Sequence, residues 1–326
     1  MQPIEYCVSI RTLGTAGEKY QKELDSLLVQ TWKPKRILVY IAENYPLPKE
    51  TIGIEEYIVC KKGIVMQRSL DWKEIDTEYA LFLDDDMELA PDAVERMFKG
   101  LLENNADCIA TDVFGNYKSS PLRKVAMFMH SYSLPHFDQN WNIKMRRSGG
   151  YSYNNHPNRD ILPTQSAPFP CFLIKMPVYH AIHFEDERWL DTLKGNSFDD
   201  RIFFYKLHIM GYKVLSYFNS GVEHLDARAG GRPDPTKKMY LQKKVLFVEW
   251  YRVFYDLKHI SGWNKFRSLM AYSLRFILGF FFMLIETVVY RKLNYIPDYF
   301  KALNDGLKFV HSEEYKKIPK YDAYVK

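Results

Sequence analysis

Residues 80–86 of this chain read ALFLDDD, an uninterrupted apolar run that ends in three aspartates. The run lacks the period of an amphipathic helix, which favours a strand buried on both faces of a sheet. Three ionised carboxylates cannot be buried unpaired, because each would lose its hydration without compensation. We therefore expect Asp84, Asp85 and Asp86 at the carboxyl end of that strand, the edge where open α/β sheets bind ligands.

Carboxylate oxygens at this edge suit a hard divalent cation. Mg²⁺ and Mn²⁺ prefer oxygen ligands and are commonly shared with the phosphate groups of a substrate. A solvated acidic turn is the alternative interpretation, and the three aspartates alone do not separate it from a metal site.

Strand and helix signals alternate through the first third of the chain. We predict strands at 6–10, 37–41, 57–60, 79–83 and 108–114, and helices at 18–30, 66–75 and 91–103. This alternation is that of βαβ units, which form a mostly parallel sheet covered by helices on both faces. The predicted fold class is therefore α/β and Rossmann-like.

Residues 116–168 interrupt the alternation and are rich in Ser, Asn, His, Pro and Tyr. A long irregular segment inside a domain is more often functional than idle. Two further strands are predicted at 169–175 and 212–218.

The chain looks helical from Lys237 onward. Leu274 to Tyr290 is strongly apolar but contains Arg275 and Glu286, so the charge-free part is short for a bilayer span. Basic residues flank it, which favours one or two helices lying in the membrane interface, with peripheral membrane contact through 265–310. The alternative is a helix packed against the main domain or a partner subunit.

Composition narrows the class of protein. The 326 residues are 47% hydrophobic and 26% charged, as in a folded chain, and the net charge of +5 does not indicate nucleic-acid binding. The four cysteines form no CxxC pair, so we expect neither a zinc site nor a disulfide framework. The same pattern favours a reducing compartment. The N-terminus shows no secretory signal pattern, so we expect the catalytic part to face the cytoplasm.

Five short segments, in a fixed order, resemble one enzyme family. They are Val8–Thr12 in the first strand and the turn that follows it, SLLVQTWKP at 26–34, FLDDD at 82–86, FEDE at 184–187, and SFDDR at 197–201 followed by MGYK at 210–213. Together they are similar to the family-2 glycosyltransferases, which are inverting enzymes with the GT-A fold. The resemblance covers about residues 4–226.

The resemblance implies a division of the chain. A GT-A domain would span 1–235, with the nucleotide-sugar bound by about 1–115 and the acceptor by about 116–235, and a helical C-terminal region would follow at 236–326. The implied donor-binding residues are Thr12, Glu43, Arg68, Asp84 and Asp85. Glu43 stands alone where the family usually has a pair of aspartates, and Arg68 is alternatively an ordinary surface arginine.

Two residues are the expected metal ligands. Asp86 is the implied ligand for Mn²⁺ or Mg²⁺, and His224 a further one, because neutral imidazole coordinates such ions. His224 is alternatively structural. Arg228 and Arg232 flank a Gly-Gly pair and are predicted to form a lid over the diphosphate.

Asp200 is the predicted general base. Its neighbour Asp199 should raise its affinity for a proton, because two adjacent carboxylates repel each other. The alternative is a helix N-terminus decorated with aspartates that favour the helix dipole. Glu187, Trp189 and Asp199 are the implied acceptor-binding residues.

The resemblance therefore implies a metal-dependent glycosyltransferase that moves one sugar from a nucleotide-sugar, with UDP expected. The acceptor would be a hydroxyl of a growing lipid-linked or cell-surface glycan at the inner face of the cell membrane. The QxxRW motif of processive members is absent after His224. A sugar nucleotidyltransferase is one alternative, although its Gly-rich basic loop is missing, and a non-enzymatic protein with the same fold is another.

Overall fold

The computed structural model describes residues 2–113, 120–129, 133–193, 198–226, 235–258, 260–291, 293 and 295–324. The strands in these residues are β1 Tyr6–Thr12, β2 Arg36–Ala42, β3 Glu55–Cys60, β4 Tyr79–Asp84, β5 Met87–Leu89, β6 Cys108–Thr111, β7 Ser133–His136, β8 Ile143–Met145, β9 Tyr151–Asn154, β10 Ile161–Pro163, β11 Cys171–Lys175, β12 Val214–Tyr217 and β13 Val222–His224. The α-helices are α1 Glu18–Leu28, α2 Ala93–Glu103, α3 Pro121–Met129, α4 Met176–Ala181, α5 Trp189–Thr192, α6 Asp199–Ile209, α7 Pro235–Trp250, α8 Gly262–Tyr290, α9 Tyr295–Val310 and α10 Glu313–Lys316.

An eight-stranded sheet in the order β10-β12-β6-β11-β4-β1-β2-β3 forms the centre of the fold. The strands β3, β2, β1 and β4 are parallel, as are β12 and β6, whereas β11 is antiparallel to both of its neighbours and β10 is antiparallel to β12. A two-stranded ribbon of β5 and β13 extends beyond the carboxyl end of β4. The predicted mostly parallel α/β sheet is thus confirmed.

Strand β4 is buried on both faces, which explains its continuous apolar run. Tyr79, Leu81 and Leu83 pack into the core beneath α1 and α2, and Ala80 and Phe82 pack into the core on the opposite face. Successive side chains of a strand alternate between faces, so no position in the run meets water. The first polar residues come where the strand leaves the core.

The structure differs from the predicted elements at two places. The helix predicted at 66–75 is only a 3₁₀ turn over Met66–Arg68, and Trp72 adopts a left-handed conformation with φ 52° that stops helical winding. The segment predicted to be irregular, 116–168, contains α3, β10 and a small sheet in the order β7-β9-β8. Its strands are three or four residues long, too short to produce a clear alternation in the sequence.

The C-terminal helices share a core with the sheet. Phe247 and Trp250 of α7, with Phe309 of α9, are buried in the same cluster as Phe82 and Phe172 of the sheet. The helical region from 236 onward therefore packs against the face of the sheet opposite α1 and α2.

Helix α8 is long and carries its charges unevenly. Gly262–Val289 is long and apolar enough to cross a membrane by length and composition, although only 22% of its most apolar window is buried in the protein. Arg275 is 5% exposed, so this charge faces the protein interior. Arg275 is one of the two charged residues that shorten the apolar run in the sequence. Because it faces inward, it does not interrupt the apolar outer face of the helix.

Candidate active site

Asp84 is the last residue of β4 and lies between two arginines. Its Oδ1 atom accepts hydrogen bonds from Arg11 Nη2 at 3.0 Å and from Arg68 Nη2 at 2.8 Å. Burial opposes ionisation of this carboxyl, but the two guanidinium groups outweigh that effect and lower its pKa to about 2. Asp84 is therefore an anion that holds Arg11 and Arg68 at the carboxyl edge of the sheet.

Arg68 connects the acidic triplet to the acidic pair of α6. Its Nη1 atom donates to Asp199 Oδ2 at 2.7 Å, while its guanidinium carbon lies 3.9 Å from the centre of the Phe169 ring. The Arg68 side chain is 11% exposed. This burial excludes the alternative of an ordinary surface arginine.

The segment that carries Arg68 is fixed by a carboxylate from α5. Asp191 Oδ1 accepts hydrogen bonds from the amides of Ile64 at 2.7 Å and Val65 at 3.2 Å, and Oδ2 accepts one from Met66 at 2.8 Å. Bonds from backbone amides to an ionised carboxylate are among the stronger hydrogen bonds in proteins. No motif or spacing in the sequence singles out Asp191.

Asp200 lies beside this network and has a raised pKa. Asp199 and Asp200 occupy the first turn of α6, and Asp200 Oδ1 accepts a hydrogen bond from the Arg201 amide at 2.7 Å. Burial, and then the negative charge of Asp199, raise the pKa of Asp200 to about 7. A carboxyl with that pKa can bind and release a proton near neutral pH.

Asp85 points to the first strand. Its Oδ2 atom accepts a hydrogen bond from Thr12 Oγ1 at 2.5 Å, and Thr12 Oγ1 in turn accepts one from the Gly14 amide at 2.7 Å. Burial, together with the charges of the flanking aspartates, raises the pKa of Asp85 to about 6. Glu43 follows the end of β2 directly and is exposed at the same edge of the sheet.

Asp86 and His224 meet across the β5–β13 ribbon. His224 Nε2 lies 3.3 Å from Asp86 Oδ1, and the hydrogen bond to Asp86 raises the pKa of the imidazole. Within the part of the chain that the structure describes, no group of three or more His, Cys, Asp or Glu side chains is arranged to hold a metal ion. A carboxylate beside an imidazole fits a divalent cation that takes its other ligands from substrate oxygens.

Comparison with known proteins identifies the domain. Residues 57–165 match the sequence model described as Glycosyl transferase family 2. The matched segment, about a third of the chain, is similar to the family-2 glycosyltransferases. The predicted family, its GT-A fold and its enzyme class are thereby confirmed. No curated protein sequence matches the chain significantly.

Solved structures share the fold of this glycosyltransferase. S. aureus TarS 1–349 in complex with UDP-GlcNAc is 13% identical, with a TM-score of 0.52, over 99% of this chain and 84% of that one. S. aureus TarS is 14% identical, with a TM-score of 0.54, and the match covers 99% of this chain and 50% of TarS. At these identities the likeness concerns the fold.

Two residues predicted to contact the acceptor are buried in the interior of the glycosyltransferase. Glu187 is fully buried, and its carboxylate accepts hydrogen bonds from Arg252 at 2.7 and 2.8 Å, from Lys206 at 3.2 Å and from Trp189 Nε1 at 2.7 Å. Arg252 and Lys206 offset the effect of burial and lower the pKa of Glu187 to about 2. Trp189 is 3% exposed. Both side chains are committed to the interior, so a contact with the acceptor does not fit them.

The other predicted site residues fall into two groups, according to whether the structure describes them. Thr12, Arg68, Asp84, Asp85, Asp86, Asp199, Asp200 and His224 lie in or directly beside the hydrogen-bonded network described above. Arg228 and Arg232, predicted as a lid, lie outside the described residues. Arg11 was missed, although its position at the end of the first strand, one residue before Thr12, was a usable signal.

The loop between β8 and β9 accepts hydrogen bonds both from α6, the helix that carries Asp200, and from the C-terminal helices. The carbonyl of Arg147 accepts a hydrogen bond from Trp250 Nε1 at 3.0 Å, and that of Ser148 accepts one from Arg275 Nη1 at 2.8 Å. The carbonyl of Gly149 accepts one from Arg201 Nη2. Side chains from α7, α8 and α6 therefore converge on three consecutive carbonyl groups.

We expect Asp199→Asn to lower the pKa of Asp200 from about 7, because the substitution removes the adjacent negative charge. The pH dependence of the side-chain carboxyl ¹³C shift of Asp200 measures this directly. Asp92→Asn, directly before α2, removes a carboxylate paired with Arg96; it is the matched control and should leave the titration unchanged. An Asp200 that titrates near pH 4 in the unmodified protein, or a pKa that does not fall in Asp199→Asn, contradicts the assignment.

Proposed function

We propose that this protein is a metal-dependent inverting glycosyltransferase that moves one sugar from a UDP-sugar to a hydroxyl of a lipid-linked or cell-surface glycan. The observation that carries the proposal is the position of Arg68, which donates to Asp84 at the edge where a donor binds and to Asp199 beside the candidate base. The choice of UDP is supported by the structure of TarS with UDP-GlcNAc.

Asp200 is the proposed general base. It takes the proton of the acceptor hydroxyl while that oxygen attacks the anomeric carbon from the face opposite the diphosphate. The bond between the anomeric carbon and the diphosphate oxygen breaks, its electron pair leaves with the nucleoside diphosphate, and the configuration at the carbon inverts. A pKa of about 7 leaves Asp200 partly ionised at neutral pH and able to accept this proton.

The donor would be held at the carboxyl edge of the sheet. Thr12, Glu43, Arg68, Asp84 and Asp85 are the proposed donor contacts, and Asp86 with His224 would hold Mn²⁺ or Mg²⁺. A bound cation of this kind neutralises charge on the leaving diphosphate. Arg68 also fixes the spacing between donor and base, because its two carboxylate partners belong to different elements.

We expect Asp200→Asn to reduce sugar transfer by about 10²–10⁴-fold, the usual contribution of a general base, with UDP affinity unchanged. Transfer is followed as UDP release from a panel of UDP-sugars in the presence of membrane-extracted lipid-linked saccharides, and UDP affinity by calorimetry. In the unmodified enzyme the rate should fall as the pH drops below about 7, because Asp200 then carries a proton.

Asp71→Asn, an exposed carboxylate outside the site, is the control and should transfer normally. Loss of UDP affinity in Asp200→Asn equal to its loss of transfer would remove Asp200 from the role of base. Transfer at the normal rate in that variant would do the same.

The outer face of α8 is proposed to contact the cytoplasmic leaflet of a membrane. Among its described residues, every exposed side chain is apolar except Arg267. Eight of them follow a spacing of three and four residues and form one stripe about 38 Å long: Trp263, Phe266, Met270, Leu274, Ile277, Phe281, Ile285 and Val288. An apolar stripe of this size with basic residues at its ends is typical of a helix in the membrane interface.

The position of the stripe also suits a lipid-linked acceptor. Arg275, on the inner face of α8, and Arg201, next to the candidate base, both donate to the loop between β8 and β9. A substrate delivered from the lipid surface would therefore arrive beside the helix that carries Asp200.

We expect Ile277→Lys combined with Phe281→Lys to weaken binding to vesicles of phosphatidylcholine and phosphatidylglycerol by at least tenfold, measured by co-sedimentation. Each charge placed in the interface opposes burial of the apolar face. Val59→Lys, at a 68% exposed apolar residue of β3, is the matched control and should bind as before. Unchanged binding of the double variant contradicts the membrane contact, and so does a loss of self-association with no change in vesicle binding, which would mean that a second copy covers the face.

A further inference from the structure

The three-residue strand β5 directly follows Asp86 of the proposed metal site. The backbone groups on its two edges have different hydrogen-bond partners. Along one edge it pairs with β13, and the Leu225 amide extends this pairing to the carbonyl of Asp86 at 2.9 Å. Because alternate N–H groups of a strand point to opposite edges, the amides of Met87 and Leu89 turn away from β13.

Side chains of α1 take the place of a neighbouring strand on that second edge. Glu23 Oε2 accepts a hydrogen bond from the Met87 amide at 3.2 Å, and Ser26 Oγ accepts one from the Leu89 amide at 3.2 Å. Glu23 is fully buried and Ser26 is 7% exposed. Neither amide could reach water, so each depends on its side-chain partner.

Gln30 extends the contact beyond the end of β5. Its Nε2 atom donates to the carbonyl of Ala90 at 2.8 Å, and its Oε1 atom accepts a hydrogen bond from the Val94 amide at 3.2 Å. Positions 23 and 26 lie on one face of α1, since residues three apart in a helix are neighbours, and Gln30 follows two residues after the helix ends at Leu28. This polar face is turned inward, against the usual preference for apolar residues at buried helix positions.

We propose that Glu23, Ser26 and Gln30 are positioning residues that fix β5 so that Asp86 stands opposite His224 in the geometry that binds the metal. The inference rests on the proposed metal site. A three-residue strand is too short to be fixed by its own pairing, and the α1 side chains define its place from the side that β13 leaves open. Glu23 has the most direct effect, because its partner Met87 follows Asp86 in the chain.

The presence of a buried carboxyl at position 23 supports this role. Glu23 Oε1 makes no hydrogen bond within the described residues, although the side chain is fully buried. A buried polar atom without a partner is destabilising, and an apolar side chain would avoid it. The carboxyl of Glu23 supplies a hydrogen-bond acceptor for the Met87 amide, which an apolar side chain could not do.

The test is the affinity for Mn²⁺ in the presence of UDP, measured on the full chain by electron paramagnetic resonance of free Mn²⁺. We expect Glu23→Leu to weaken Mn²⁺ binding by about 10–100-fold, the usual effect of losing a group that orients a metal ligand. Glu23→Gln keeps an oxygen acceptor for the Met87 amide and should restore the normal affinity. Ser26→Ala, a small change that tests the second contact, should give a smaller loss in the same direction.

Two comparison variants separate the possible outcomes. Leu24→Ala opens a cavity in the core on the same helix without touching β5, and should lower the melting temperature while leaving Mn²⁺ affinity unchanged. An equal loss of Mn²⁺ affinity in Leu24→Ala, or normal affinity in both Glu23→Leu and Ser26→Ala, overturns the inference. Asp86→Ala is the reference for loss of the ligand itself: if it binds Mn²⁺ normally, the proposed metal site is wrong, independently of α1.

Discussion

The cost of burying ionised carboxylates is the constraint on which this site depends. Arg68 offsets the cost of placing Asp84 and Asp199 in a largely buried position, because its guanidinium group donates to both carboxyl groups. Arg68 is itself held against Phe169, on a segment whose amides bind Asp191. Each charge at the edge of the sheet is therefore fixed by another charge or by backbone amides.

This constraint also separates the roles of two adjacent aspartates. Asp199 is engaged by a guanidinium group, whereas the hydrogen bond of Asp200 within the described residues comes from the Arg201 amide. Burial and the charge of Asp199 then raise the pKa of Asp200 to about 7. The same first turn of α6 thus holds one carboxylate that positions Arg68 and one that can exchange a proton.

The C-terminal helices bind buried groups of the α/β part of the chain and also form an exposed apolar surface. Arg252, which follows α7, pairs with the buried Glu187, and Arg275 of α8 binds the loop between β8 and β9. Removing one partner of a buried ion pair typically costs about 3–5 kcal/mol, because the other charge is left uncompensated. The packing of these helices is thus tied to the face of the sheet that carries α6.

The features that depend on neighbouring residues in the chain were predictable from the sequence. The position of Asp84 to Asp86 at a strand end follows from the cost of burying charge, and the sheet follows from alternating strand and helix signals. The link from Arg68 to Asp199 was not predictable, because the two residues are 131 positions apart and no pattern connects them. Glu187 was assigned to the acceptor for the same reason: its partner Arg252 lies 65 positions away, so its burial was not visible. The helix predicted at 66–75 stops after Arg68 because Trp72 adopts a left-handed conformation, which the residue pattern did not reveal.

The most direct test of the central claim is calorimetric binding of UDP, GDP and dTDP to the purified protein, with Mn²⁺ and with a chelator. We predict that UDP binds in the presence of Mn²⁺, that its binding falls sharply in chelator, and that GDP and dTDP bind more weakly. Absence of binding by all three nucleotides would contradict the account of the acidic edge as a nucleotide-sugar site. Equal binding of UDP with and without Mn²⁺ would contradict its dependence on metal.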